Sequence, residues 1–341
     1  MATSHHRQVS NETLDCPILF VPQVHETNPM LISVLLNGLL CIATGIVAVV
    51  SNLLVLITIH GKPVFSSNQN ILFEALAFVD ILTGAIAVPL FVAYQWQVVM
   101  ADVNCILASF MLVFLQICIV FTVIVILLIS AERSFAVFKP FKYQALVTRR
   151  RILQVLLTSW SAWLIILVVK NTCMHHSGKR FPACAGWGFA ALFVVVGFLY
   201  FKMCNVVKRH RNAIAALQTD PEVTRRILKQ RKSLKTTIHV KGAFILCHMP
   251  LVLSLTLVWL GVISMGRKSF LFLSWTGLMA LVNSCLDPFI YYWRENRIKR
   301  GIIDFLRYRN NNGIGIIPIP ALSAPRRRAE MYRVGLQETA A

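Results

Sequence analysis

Two aspartates stand inside stretches of chain that carry almost no other polar atom. Asp80 lies within the apolar run 71–94 and Asp287 within 269–293, while Asn52, Thr122 and Asn283 sit at similar depth in other runs. A carboxylate held in hydrocarbon costs about 3 kcal/mol, so it persists where it does a job. Two carboxylates brought close repel each other unless a proton or a cation is shared between them. Oxygen donors of this kind suit a hard cation. One reading is therefore a site for sodium or for a titrating proton. The other is an uncharged hydrogen-bonded network that packs helices together. Both need elements that carry these side chains into the middle of an apolar medium.

Those elements are legible in the composition. The chain has 341 residues, 57% of them hydrophobic and 14% charged, with a mean hydropathy of +0.66. Soluble domains carry about 25% charged residues. Apolar runs extend over approximately 30–59, 71–94, 106–131, 152–169, 187–207, 237–264 and 269–293. About 20 helical residues cross the hydrocarbon core of a bilayer, and each run is close to that length. Lys202 interrupts the fifth run near its end, where a lysine snorkels to the headgroups. None of the runs alternates as membrane barrel strands do. The fold class expected is an all-α membrane protein, a seven-transmembrane helix bundle with a short amphipathic helix after the seventh span.

Of the 34 Lys and Arg, only Arg7, Lys170, Lys179, Arg180, Arg267 and Lys268 fall on the side of the N-terminus. The positive-inside rule then puts the N-terminus outside and the C-terminus in the cytoplasm of a multi-pass protein. Asn11, in Asn11-Glu12-Thr13, fits a glycosylation acceptor on that outer side. Four segments follow: an extracellular stretch 1–29, the helix bundle 30–293, a membrane-surface helix 294–309 and a disordered cytoplasmic tail 310–341. In the third of these Ile298, Ile302, Phe305 and Leu306 form one stripe among Arg297, Lys299, Arg300 and Arg307. The net charge of +20 is concentrated in the cytoplasmic loops. It points to anionic membrane lipid and a cytoplasmic partner, not to nucleic acid. Cys16, Cys105, Cys173 and Cys184 lie in outer, disulfide-permissive space, which allows three pairings.

Several short patterns occur in order along these spans. They are Val50-Ser51-Asn52-Leu53-Leu54-Val55, Leu76-Ala77-Phe78-Val79-Asp80, Glu132-Arg133-Ser134 followed by Pro140 and Lys142-Tyr143, Trp160, Phe244 with Cys247-His248-Met249-Pro250, and Asn283 to Tyr291 with Asp287-Pro288. Together they resemble the signatures of the rhodopsin-like G-protein-coupled receptors over about 45–308. His248 stands where that pattern has tryptophan, Ser134 where it has tyrosine, and the fifth run lacks a proline. That missing proline, the Asp-Pro motif and the short second outer loop are similar to the melanocortin, adenosine and lipid-receptor group, and the subgroup stays open.

The resemblance implies a receptor that binds an extracellular ligand between its helices and activates a heterotrimeric G protein. Pro250 would let the sixth helix kink and swing its inner end outward. Glu132 would hold Arg133 at rest by a charge-assisted hydrogen bond. In the active state Arg133 would meet the G-protein tail, with Tyr200 and Tyr291 turned inward to support it. Phe141, after Pro140, is a candidate knob for a pocket on that partner. Gln230 stands where many relatives have an acid that pairs with the arginine, so ligand-free signalling is expected. Asp80, Thr122, Asn283, Ser284 and Asp287 would hold the sodium ion, and no other cofactor is expected.

The ligand, a small molecule, lipid or peptide, would sit near Leu112, Leu115, Gln116, Ile119, His248, Leu251 and Leu281. The third span lacks the acid that would pair with an amine, and Leu281 stands where an opsin has its lysine. Cys105 with Cys184 is the preferred disulfide, because Cys173 lies so near the end of the fourth helix. The competing class is a seven-helix transporter or ion-coupled channel that uses Asp80 and Asp287. It predicts paired repeats or charged pore-lining residues, and no internal repeat is present. An enzyme is not expected: His175-His176 has no nearby acids, and nucleophile elbow, phosphate loop and Cys-x-x-Cys patterns are missing.

Overall fold

In a computed structural model of the chain the described residues are 28–60, 68–138, 142–143, 146–177, 194–195, 197–198, 200–202, 205, 221–264, 266–294 and 299–303. All regular elements among them are helical. They are α1 (Asn28–His60), α2 (Asn68–Leu82), a π-helical turn (Thr83–Ala87), α3 (Val88–Val99), α4 (Cys105–Phe138), α5 (Arg149–Ser177), α6 (Pro221–Trp259) and α7 (Arg267–Arg294). The π turn joins α2 and α3 into one continuous rod, so among the described residues six long helices have the length and apolarity to cross a membrane. The fifth expected span falls mostly outside the described residues, as do the N-terminal segment with Asn11 and Cys16, the loop residues Pro140, Phe141 and Cys184, and the tail from 304 onward. Of the surface helix only the helical piece 299–303 is described.

The helices are longer than the apolar runs because polar caps sit just beyond the apolar residues. Asn104 caps α4, its Oδ1 accepting from the backbone N–H groups of Ile106 (2.9 Å) and Leu107 (3.2 Å). Thr148 does the same more loosely for Arg151 at the start of α5. The outer end of α6 comes earlier than the apolar run suggests, at Trp259 instead of Ser264. There the chain turns through Gly261, whose φ of 72° is open to glycine at no steric cost. At its inner end α6 begins at Pro221, well below the apolar run, as the helical spacing of Ile227, Leu228 and Leu234 predicts.

Each helix sorts its side chains between lipid and neighbour. On α1, Ile32, Leu39 and Ile46 face outward and are exposed, while Asn37, Cys41, Ala48, Asn52 and Val55 are buried. Those buried positions recur at three, four or seven residues, the period of one helix face. Exposed apolar side chains at this density suit hydrocarbon and would be costly in water. The most extensive packing is of α6 on α7, then of α1 on α7 and on α2.

Two close approaches set the spacing of the rods. Gly45 of α1 and Gly84 of the π turn face each other so tightly that a Cβ on Gly84 would stand 2.7 Å from the Gly45 carbonyl oxygen. A Cβ on Gly277 of α7 would stand 2.7 Å from Cζ of Phe91 on α3. Helices without a hydrophobic drive between them associate through such small-residue contacts and through interhelical hydrogen bonds. The bonds between α1 and α7 run along much of their length. Trp275 Nε1 donates to Ser33 Oγ (3.1 Å), Asn37 Nδ2 to the Ser274 carbonyl (3.3 Å), Cys285 Sγ to the Thr44 carbonyl (3.0 Å) and Asn52 Nδ2 to the Ser284 carbonyl (2.9 Å).

Candidate functional site: three buried layers along the bundle

The middle layer gathers the polar residues that stand inside the apolar runs. Asn52, Asp80 and Asp287 are 0% exposed, and Asn283, Ser284 and Thr122 are buried with them. Asp287 and the Ser284 side chain lie within interaction range of Asp80. Cys118 of α4 and Cys285 of α7 are within electrostatic reach of Asp80, and Cys247 of α6 is within reach of Asp287. The cluster therefore sits where α2, α4, α6 and α7 meet.

Its oxygens are poorly satisfied. Asn52 Oδ1, Asn283 Oδ1 and both carboxylate oxygens of Asp80 and Asp287 have no hydrogen-bond partner. Buried polar groups are nearly always paired, so this concentration of oxygens is where a shared proton or a bound cation would be accommodated. The donors are carboxylate, amide and hydroxyl oxygens, the chemistry of a hard cation. Among the described residues no three His, Cys, Asp or Glu side chains come together as a transition-metal site would need. The residues fit sodium on this ground.

The inner layer lies at the cytoplasmic end of α4. Arg133 donates through Nε and Nη2 to the two carboxylate oxygens of Glu132, and the Tyr143 hydroxyl donates to the same carboxylate. Glu132 and Arg133 are each 7% exposed. A two-pronged guanidinium–carboxylate pair at this burial is among the stronger polar contacts a protein makes. Tyr200, on the fifth span, packs its ring against α6 at Gly242, 3.6 Å from where a Cβ would stand. The Tyr291 side chain lies outside the described set.

The outer layer is carried by α4, α6 and α7. His248 stacks on Phe244 one turn inward, with ring centroids 4.2 Å apart. Its Nδ1–H donates to the Phe244 carbonyl at 3.0 Å. Phe244 is fully buried in the apolar core of the inner half. Two residues beyond His248, Pro250 interrupts the α6 ladder, and the Ser254 hydroxyl bonds the Pro250 carbonyl. Both features bend helices. Leu115 and Leu281 pack in one apolar cluster, while Gln116, Ile119 and Leu251 are half-buried. Leu112 is 37% exposed and does not join them, because it falls one residue past the inward position held by Met111.

Cys105 is disulfide-bonded, with a partner whose side chain lies outside the described set. Asn37, Gln95 and Lys241 are among the buried polar residues that the sequence analysis does not single out. Asn37 and Gln95 are polar residues within or beside apolar runs, and that signal was available for both. Lys241 is a lysine inside the sixth run, 1% exposed on the inner half of α6. The bond from Tyr143 to Glu132 had no signal of its own, since it spans eleven residues and a loop.

The chain is similar over residues 51–291 to the family described as 7 transmembrane receptor (rhodopsin family). Among curated proteins it is 26% identical over 295 residues to the G-protein coupled receptor 12 of Rattus norvegicus, covering 82% of this chain and 83% of that receptor. The Homo sapiens receptor of the same name is 26% identical over 298 residues, covering 83% and 84%.

Proposed function

Because this chain belongs to the rhodopsin family of seven-transmembrane receptors, we propose that its three buried layers form one switch between an outer ligand pocket and a G protein. The class is settled by membership: a multi-pass membrane receptor that signals through heterotrimeric G proteins, and not an enzyme. The transporter alternative is set aside on the same ground. The basic residues that crowd one side support an outward N-terminus and a cytoplasmic C-terminus.

A ligand among Leu115, Gln116, Ile119, Leu251 and Leu281 presses on His248, which rests on Phe244. Moving that stack biases α6 about its proline bend. The inner end of α6 swings outward, and Arg133 leaves Glu132 for the G-protein tail. Such a device works only if the ligand binds the two arrangements with different affinity. Asp80, Thr122, Asn283, Ser284 and Asp287 would hold a sodium ion between the second span and α7, which would favour the resting arrangement. A sodium ion supplies charge compensation there; the residues themselves do the positioning.

The observation that carries this reading is the alignment of a buried, fully engaged Glu132–Arg133 pair with a buried oxygen cluster on the same bundle. The test is nucleotide exchange on purified G protein by the receptor in lipid nanodiscs. Arg133→Ala is expected to lower ligand-free exchange at least ~10-fold, the effect of losing about 1.4 kcal/mol of differential contact. Exchange unchanged by that substitution would remove Arg133 from the coupling step.

A further inference from the structure

The bulkiest side chain that is fully buried among the described residues is a lysine. Lys241, on the inner half of α6, is 1% exposed. It lies three residues inward of Phe244 and seven inward of His248, so all three share one stripe of the helix. The outer two form the stack on which a ligand would press. The packing on either side of Lys241 is apolar or aromatic. Val240 and Phe244 belong to one core with Val125, Ile126 and Ile129 of α4, and the Tyr200 ring lies against Gly242.

An ammonium in such a core is costly. The Lys241 side chain is engaged within the chain, but pairing a buried ionic group often returns less than the hydration it gave up. α6 supplies little compensation of its own, since its one acid, Glu222, stands in the first turn. A side chain leans toward the N-terminus of its helix. α6 starts from its inner end, so Lys241 leans toward the cytoplasmic mouth of the bundle. An outward swing of α6 gives that side chain a short route to water.

We propose that Lys241 is a positioning residue whose buried charge makes the closed bundle costly and so drives α6 outward without ligand. The inference rests on the reading that α6 swings about its proline bend. In the resting arrangement the ammonium is held in the apolar core. In the active arrangement it reaches the hydrated cavity beside Arg133. The difference in hydration between the two arrangements is the bias. Gln230 only lacks a restraint, whereas Lys241 supplies a push, and it does so on the stripe that carries His248 and Phe244.

The test uses the full-length receptor in lipid nanodiscs, with ligand-free nucleotide exchange on purified G protein and the thermal midpoint read on the same preparations. Lys241→Met keeps most of the length of the side chain and removes its charge, while Lys241→Arg keeps the charge. Lys241→Met is expected to lower ligand-free exchange about 10-fold and to raise the midpoint by about 2 °C. Lys241→Arg is expected to exchange within about 2-fold of the unsubstituted protein. A role in packing alone would not move exchange and midpoint in opposite directions, nor be rescued by arginine. Exchange by Lys241→Met that is unchanged or raised would overturn the proposal. So would a lowered midpoint or a failure to fold, because the lysine would then be stabilising the closed bundle. An equal fall in Lys241→Arg would overturn it too, since charge would not be the cause. Arg133→Ala, run alongside, reports separately on the coupling step. If that substitution leaves exchange unchanged, the coupling reading fails, and the midpoint of Lys241→Met still decides whether the buried charge is a cost.

Discussion

At the inner end of α4 the Glu132 carboxylate is taken up by Arg133 and Tyr143, whereas between α2 and α7 the Asp80 and Asp287 carboxylates have no hydrogen-bond partner. Both regions are buried and both lie on helices that run through the same apolar medium. The difference is in what completes each one. The inner pair is closed within the polypeptide, and on the proposed reading it is a latch that opens when the G-protein tail outcompetes it. The middle pair is open within the polypeptide, and on the proposed reading a small cation would complete it.

That contrast has consequences for substitution. Breaking the closed region from one side should cost most. Glu132→Leu leaves a buried guanidinium without its carboxylate, for about 3 kcal/mol of stability. The expected outcome is a clear fall in the thermal midpoint of the receptor together with raised ligand-free exchange. A midpoint that holds steady would mean that the latch contributes little to the resting fold.

Next in size is the packing that keeps the open region in place. Gly84→Ala puts a methyl group against the Gly45 carbonyl, where the obstacle is backbone and yields little. A loss of about 2 kcal/mol is expected, read again as a lower midpoint, and a weaker response to sodium should accompany it as α1 and the second span part beside Asn52. The smallest effect belongs to Tyr143→Phe. It deletes one hydrogen bond to a carboxylate that keeps its arginine, worth about 1 kcal/mol, so ligand-free exchange should rise by a factor of about 5. No rise would show that Tyr143 positions the loop without holding the latch.

Much of this was legible in the residues. Apolar runs gave the spans, and the aspartates and asparagines inside them pointed to the middle layer, because polarity in hydrocarbon is expensive wherever it occurs. The Glu132–Arg133 pair was adjacent in sequence and needed no tertiary information. The partner of Glu132 on the loop did need it, since nothing local ties Tyr143 to α4. Gln95 carried the signal of polarity beside an apolar run, but a π turn lies between it and Asp80, so a strict 3.6-residue period does not carry the inward face across. Leu112 is exposed beside the buried Met111 on α4, where inward and outward residues are neighbours in sequence.

The most direct trial of the central contrast is ionic. Ligand-free nucleotide exchange by the receptor in nanodiscs is measured in sodium chloride and in choline chloride at equal ionic strength, for the unsubstituted protein and for Asp80→Asn. Sodium should slow exchange several-fold in the unsubstituted protein, a difference of about 1 kcal/mol between the two arrangements, and should leave Asp80→Asn unmoved. Equal rates in the two salts for the unsubstituted protein, or the same sodium effect in Asp80→Asn, would contradict the assignment of the orphaned oxygens to a cation.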